Sequence, residues 1–187
     1  VLRAIDANTR LIFICSPNNP TGTLVQSSTI EQIATSFGGI VVVDEAYVDF
    51  VQQGGGAVEL LARNSNIYVL QTLSKAWGLA GARVGIGVAS PEIQRYMAKI
   101  KAPYNISSLN QQVAINSLED MEGFKMKVEL IMEERERLQK ALSSFSCVVT
   151  VYPSDANFLL VKFKKVKEVY LHLKQNGIVA RDRSGEK

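Results

Sequence analysis

The stretch from Thr72 to Gly85 holds the residues best suited to covalent chemistry. Lys75 follows an apolar run, and Arg83 lies eight residues further on, with mostly small residues between them. A lysine at the end of a buried strand is expected to be poorly hydrated, which favours its neutral amine and imine formation. An arginine offers a planar fork of donors suited to a phosphate group. This pair could therefore hold pyridoxal phosphate, an aldehyde that carries a phosphate, as a Schiff base.

Two earlier apolar runs also end in distinctive polar residues. Asn19 lies in the Asn-Pro-Thr-Gly run after the first, and Asp44 and Tyr47 lie in the Asp-Glu-Ala-Tyr run after the second. Each has an ordinary explanation by itself, because Asn-Pro is a turn signal, a strand-end aspartate often caps a helix, and a strand-end lysine is usually solvated. Their order and spacing, ending in Arg83, favour one shared site instead.

Short apolar runs separated by helical patterns must position these residues. The runs predict strands over 11–15, 40–43, 67–70 and 83–89, and the first is typical of a strand buried on both faces. Helices are predicted over about 28–37, 91–101 and 108–118. This order predicts an α/β sheet, in which ligands bind beyond the carboxyl ends of the strands.

The pattern changes in the last third of the chain. Three- and four-residue apolar spacing predicts a long helix over 124–145. Strands at 148–152, 158–163 and 178–180, with a helix at 166–175, then predict an α+β unit. We expect a partial large domain over 1–121, an interdomain helix over 122–145 and part of a smaller domain over 146–187. The run Gly54 to Gly56 is predicted to be a flexible loop tip.

Composition limits the classes of function. The 187 residues are 47% hydrophobic and 21% charged, as in ordinary soluble globular proteins. A net charge of +3 with dispersed basic residues gives little support to nucleic-acid binding, and no apolar stretch approaches membrane-spanning length. Cys15 and Cys147 are predicted to be buried free thiols in a reducing cytosol.

The sequence gives less support to other catalytic arrangements. The single histidine, His172, lies in a predicted helix and cannot form a metal cluster by itself, so no metal site is predicted. A catalytic triad with Ser74 is not supported either. The glycines at Gly78, Gly81 and Gly85 do not open a helix directly after a strand, which argues against a dinucleotide-binding loop.

In combination, four features resemble the fold-type I pyridoxal-phosphate aminotransferases of the class I/II family: Asn19 to Gly22, Asp44 to Tyr47, Ser74-Lys75 and Arg83. The resemblance implies a three-layer αβα sheet in the large domain. It also implies that Lys75 binds the cofactor covalently and then moves the substrate proton.

The same resemblance implies roles for the remaining site residues. Asp44 would pair with the protonated pyridine nitrogen, and Tyr47 and Asn19 would bond to the ring oxygen. Ser74 and Arg83 would bind the cofactor phosphate.

Further stretches are similar to the histidinol-phosphate aminotransferase group of this family. They lie at 44–50, 101–105, 154–158 and 177–183. This similarity implies a phosphorylated amino-alcohol substrate, a 2-oxo acid, a homodimer, a cytoplasmic location and no nucleic-acid or membrane partner. Arg181 and Asn19 would contact the substrate, with Arg183 a weaker candidate. The alternative for Arg181 is a surface arginine at a strand edge.

Other functions stay open from the sequence. Members of the family are close to twice as long as this chain, so we expect an internal or carboxyl-terminal fragment that is inactive alone. A threonine-phosphate decarboxylase-like enzyme is the nearest enzymatic alternative. A non-catalytic regulator with an aminotransferase-like domain and a structural or dimerising module are the others.

Overall fold

The computed structural model describes residues 1–52 and 56–185, with one larger and one smaller sheet linked through helices. The strands and α-helices follow in this order: β1 Leu11–Cys15, α1 Ser27–Ser36, β2 Ile40–Asp44, β3 Ile67–Thr72, β4 Gly85–Ala89, α2 Pro91–Ile100, α3 Ser108–Glu119, α4 Met121–Ser143, β5 Val148–Val151, β6 Val161–Phe163 and α5 Val166–Gln175.

The larger sheet has the strand order β1-β2-β3-β4. Strands β1, β2 and β3 are parallel, whereas β4 returns antiparallel to β3. Asp44 at the end of β2 is aligned with Cys15 of β1 and Leu70 of β3. The three parallel strands therefore end at one edge of the sheet, which is where the predicted site residues follow in the chain.

One face of this sheet is covered by α1. Ile30 and Ile33 of the helix belong to the same buried cluster as Val41 and Val43 of β2. Strand β2 is buried on both faces, as a parallel-sheet strand is expected to be. The same expectation is wrong for β1, because Phe13 on its second face is 71% exposed.

A second buried cluster lies beside the predicted site. It contains Tyr47, Phe50, Ala76, Val128 and Ala156. The long helix that the apolar spacing predicted is confirmed as α4. Its Val128 packs in this cluster with Tyr47 and Ala76, so the helix contacts the segments that carry the site residues. The two sheets lie on either side of α4 in the chain, and the division into domains at residues 121 and 145 stays a prediction.

Three strand predictions need correction. Residues 178–180 do not form a strand, since no described strand pairs with them and Val179 is 98% exposed. The strand predicted from residue 83 begins at Gly85, because Arg83 adopts a left-handed conformation with φ 56°. The strand predicted over 158–163 is shorter, at Val161–Phe163. Gly54 and Gly55 of the predicted loop tip lie outside the described residues.

The remaining expectations from the sequence agree with the structure only in part. Cys15 is half-buried and Cys147 is exposed, so the prediction that both thiols are buried is wrong for Cys147. Cys147 lies in the turn before β5, where few side chains pack over it. His172 lies in α5, in the helix predicted for it, and is exposed. Among the described residues, no helix combines the length and apolar character needed to cross a membrane.

Candidate active site

Tyr47 and Asn19 meet at the carboxyl edge of the sheet. The Asn19 side-chain nitrogen Nδ2 donates a hydrogen bond to Tyr47 Oη at 3.0 Å. Tyr47 is only 7% exposed, and its ring makes an edge contact with Phe158, with centroids 5.2 Å apart. Burial and this ring contact hold the phenol in place, so its oxygen is a fixed point of the site.

Lys75 lies over the same phenol. Its Nζ is 5.3 Å from the centre of the Tyr47 ring, within the range of a cation–π interaction. The turn that carries it is closed by hydrogen bonds from Gly78 N to Lys75 O at 3.0 Å and from Leu79 N to Leu73 O at 2.9 Å. The lysine itself is exposed, which corrects the expectation of poor hydration, because this turn leads away from the sheet.

Asp44 is the last residue of β2 and is half-buried. Its Oδ1 accepts a hydrogen bond from Ala46 N at 3.1 Å, and its backbone oxygen accepts one from Ser16 N at 2.9 Å. The first bond orients the carboxylate, and the second joins the end of β2 to the segment after β1 that leads to Asn19.

Ser74 and Arg83 flank the open end of the β3–β4 pair. Thr72 pairs with Gly85, and Leu73 N donates to Val84 O at 3.2 Å, so Ser74 and Arg83 are the next positions along the two chains. Ser74 Oγ accepts a hydrogen bond from Thr72 Oγ1 at 2.9 Å. Arg83 is exposed, and its Nη1 donates to Ala80 O at 3.2 Å. A hydroxyl and a guanidinium at such an open end are suited to bind an anion.

The structure brings Arg183, rather than Arg181, to this cluster. Arg183 Nη2 donates to Asn19 Oδ1 at 3.3 Å. Arg181 is exposed, and within residues 1–52 and 56–185 no hydrogen bond or ion pair joins it to another predicted site residue. The Arg183 contact spans 164 residues of chain, so no local pattern could have identified it.

Glu45 is a buried residue of the site region that sequence reasoning did not single out. It is 1% exposed, and its carboxylate accepts hydrogen bonds from Ala57 N and from Gln71 Nε2. Burial raises the pKa of this carboxyl group, and the two hydrogen bonds partly oppose the rise. Glu45 thereby connects the end of β2 to Gln71 of β3 and to Ala57.

The Asn-Pro-Thr-Gly run is held from the second half of the chain. Asp155 N donates to Gly22 O at 2.8 Å, and Leu24 N donates to Asp155 Oδ2 at 3.3 Å. Gly22 has φ +74°, and a Cβ placed there would lie 2.9 Å from Ser154 Cα. The glycine is therefore required both by its backbone conformation and by this close approach.

The donor set fits pyridoxal phosphate. Lys75 is a primary amine for an aldehyde, and Asp44 is a carboxylate for a ring nitrogen. The Asn19–Tyr47 pair matches a phenolic oxygen, and Ser74 with Arg83 matches a phosphate. Tyr47 is hydrogen-bonded to Asn19 and lies within cation–π range of Lys75. The groups suited to the ring oxygen and to the aldehyde of the cofactor therefore lie near each other.

Comparisons with known proteins assign the family. The profile of the family described as aminotransferase class I and II matches residues 1–185. The histidinol-phosphate aminotransferase of Cytophaga hutchinsonii is 45% identical over 184 residues, which are 98% of this chain and 53% of that relative. The chain belongs to the aminotransferase class I and II family. It spans about half the length of the curated relatives that it matches.

Solved structures share the fold. The histidinol-phosphate aminotransferase from Sinorhizobium meliloti, in complex with pyridoxal-5'-phosphate, has a TM-score of 0.84 at 27% identity, over 93% of this chain and 49% of that one. The L-threonine-O-3-phosphate decarboxylase from Porphyromonas gingivalis has a TM-score of 0.79 at 24% identity, over 98% and 58% of the two chains. At that identity the second likeness shows the fold alone. The α/β fold class predicted from the sequence is confirmed. The observed sheet is mixed, since β4 is antiparallel to β3.

Proposed function

We propose that this chain carries the lysine-bearing part of a pyridoxal-phosphate-dependent aminotransferase. The observation that supports it most strongly is the contact of Tyr47 with both Asn19 and Lys75, at the strand edge where Asp44 ends β2. Three separate chain segments supply these groups. Membership of the family supports the same proposal.

When bound, pyridoxal phosphate supplies an electron-accepting ring that stabilises negative charge on the substrate carbon. Lys75 Nζ would hold the cofactor covalently and, once the substrate amine has displaced it, would carry the proton to and from that carbon. Asp44 would keep a proton on the ring nitrogen, since an anion beside it favours the charged form. Tyr47 Oη and Asn19 Nδ2 would donate to the ring oxygen.

The anionic groups would be bound at the rims of this cluster. Ser74 Oγ and the Arg83 guanidinium would hold the cofactor phosphate, because both are donors at the open end of the β3–β4 pair. Arg181 would reach the phosphate of the substrate. The exposure of Arg181 leaves its guanidinium available for such a ligand.

We assign histidinol phosphate as the amino donor and 2-oxoglutarate as the acceptor, in a ping-pong exchange. The 45% identity to a relative with that name, over nearly the whole chain, supports this choice. A homodimer in the cytoplasm is part of the proposal.

Substrate profiling tests this assignment in the complete protein, by which we mean the product of the full coding sequence. We expect yellow protein with bound pyridoxal phosphate, and transamination of histidinol phosphate in preference to threonine phosphate. Carbon dioxide release from threonine phosphate at the higher rate would favour the decarboxylase instead. Colourless protein without bound cofactor would contradict the proposal as a whole.

A further inference from the structure

The contact between Arg183 and Asn19 joins the end of the described chain to the centre of the candidate site. Arg183 is half-buried, and its Nη2 lies 3.3 Å from Asn19 Oδ1. On its other side, Asn19 uses Nδ2 to reach Tyr47 Oη at 3.0 Å. The three side chains thus form a chain of hydrogen bonds.

The guanidinium of Arg183 determines which atoms donate and which accept in these hydrogen bonds. A guanidinium has donors and no acceptor, so it can bond only to the oxygen of the Asn19 amide. The amide nitrogen must then face Tyr47, whose oxygen accepts its hydrogen bond. Because Tyr47 Oη is the acceptor in this contact, its own proton stays available to donate elsewhere.

We propose that Arg183 is a positioning residue that orients the Asn19 amide and thereby leaves the Tyr47 hydroxyl free to donate into the site. This inference rests on the proposed function, in which that donor serves the ring oxygen of pyridoxal phosphate. Arg183 acts through Asn19 and needs no contact with the cofactor. It differs from Arg181, which has no such contact within the described residues and is assigned to the substrate.

The loss of Arg183 has a predictable chemical result. Without the guanidinium the amide can rotate, and its oxygen can then accept the Tyr47 proton. The anionic ring oxygen of the bound cofactor would then lose the Tyr47 hydroxyl as a hydrogen-bond donor. Because hydrogen bonding stabilises the anion, this loss favours the protonated lysine–cofactor linkage, and the pH midpoint of the visible absorption band rises.

The first test is a pH titration of that band in the complete protein, without substrate. Arg183→Ala is expected to raise the midpoint by roughly one pH unit, the effect of one hydrogen bond to a charged group. Arg183→Lys keeps a hydrogen-bond donor, so its midpoint should lie close to that of the wild-type protein. The matched variant Arg181→Ala should leave the midpoint in place. An unchanged midpoint in Arg183→Ala, or an equal shift in Arg181→Ala, would overturn the inference.

The second test needs no cofactor. In protein labelled with ¹⁵N-asparagine, the Asn19 side-chain NH₂ signals are identified by their loss in Asn19→Asp. They are expected to move in Arg183→Ala and not in Arg181→Ala, and signals that stay in place would refute the contact. If the wild-type protein acquires no visible band with pyridoxal phosphate, the proposed function fails, and this comparison alone decides whether Arg183 holds Asn19.

Discussion

Tyr47 is the residue that organises the candidate site. Its oxygen contacts Asn19, its ring lies 5.3 Å from Lys75 Nζ, and its edge contact reaches Phe158. These partners come from three different parts of the chain. A buried aromatic ring fixed by such contacts holds the flexible lysine and the amide in one place, and it costs little entropy to do so.

Asp49 allows a test of electrostatics beside the site. Burial raises the pKa of its carboxyl group above the ordinary 3.8, so the folded state holds this proton more tightly than the unfolded state. Below pH 3.8 the residue has little effect, and as the pH rises through the raised pKa the folded state loses stability. Asp49→Asn should therefore increase the free energy of unfolding at pH 7, with a gain that shrinks towards pH 4.

Urea denaturation of the complete protein at several pH values measures this effect. Glu129→Gln is the matched control, since Glu129 is an exposed carboxylate in the middle of α4 and should show little change. A loss of stability in Asp49→Asn at pH 7 would show that the ionised carboxylate is stabilised in the folded protein, against this account.

At the scale of elements, the site depends on the turn after β1 being held by the loop after β5. Arg135 Nη1 of α4 donates to Ala156 O at 2.8 Å, and Asp155 N donates to Gly22 O at 2.8 Å. The turn that carries Asn19 is thus connected through this loop to α4. Disturbing the loop should therefore affect the position of Asn19.

Gly22→Ala tests this packing. The φ of +74° alone costs an alanine about 1 to 3 kcal/mol, and the new Cβ would also meet Ser154. Gly177→Ala is the matched control, because Gly177 has φ +76° and nothing within 4 Å of an added Cβ. We expect the larger loss of unfolding free energy in Gly22→Ala by chemical denaturation. Equal losses would show that the contact with Ser154 relaxes without cost.

The elements themselves were largely predictable from the sequence. The β1, β2 and β3 runs are short, apolar and bounded by polar turns, so their position was predicted to within two residues. Residues 178–180 look like a strand by composition, but a strand forms only where a neighbour pairs with it, and composition does not reveal the neighbour.

The site was predictable to a lesser degree. The sheet topology brings four predicted residues to one edge, because Asp44 ends β2 and the others come shortly after parallel strands: Asn19, Tyr47 and Lys75. Their functional roles, with those of Ser74 and Arg83, stay predictions. The exposure of Lys75 and the Arg183 contact depend on turn geometry and on long-range packing, which a single sequence does not specify.

At the scale of the whole molecule, the site is open on the described chain. Asn19, Lys75 and Arg83 are all exposed. Water at these groups weakens the electrostatic interactions on which a transaminase depends. The 187-residue chain by itself is therefore expected not to turn over substrate. Saturable transamination by this purified chain, with no other segment added, would contradict that expectation.

The central claim is that Lys75 binds pyridoxal phosphate covalently, and one measurement tests it most directly. The complete protein is incubated with pyridoxal phosphate, reduced with borohydride, digested and mapped by mass spectrometry. Lys99 is the internal control, since its Nζ also lies over a tyrosine ring, 5.2 Å from the centre of Tyr96. We predict that the reduced cofactor is found on Lys75 and is absent in Lys75→Ala. Modification of Lys99 to the same extent, or none on Lys75, would contradict the account.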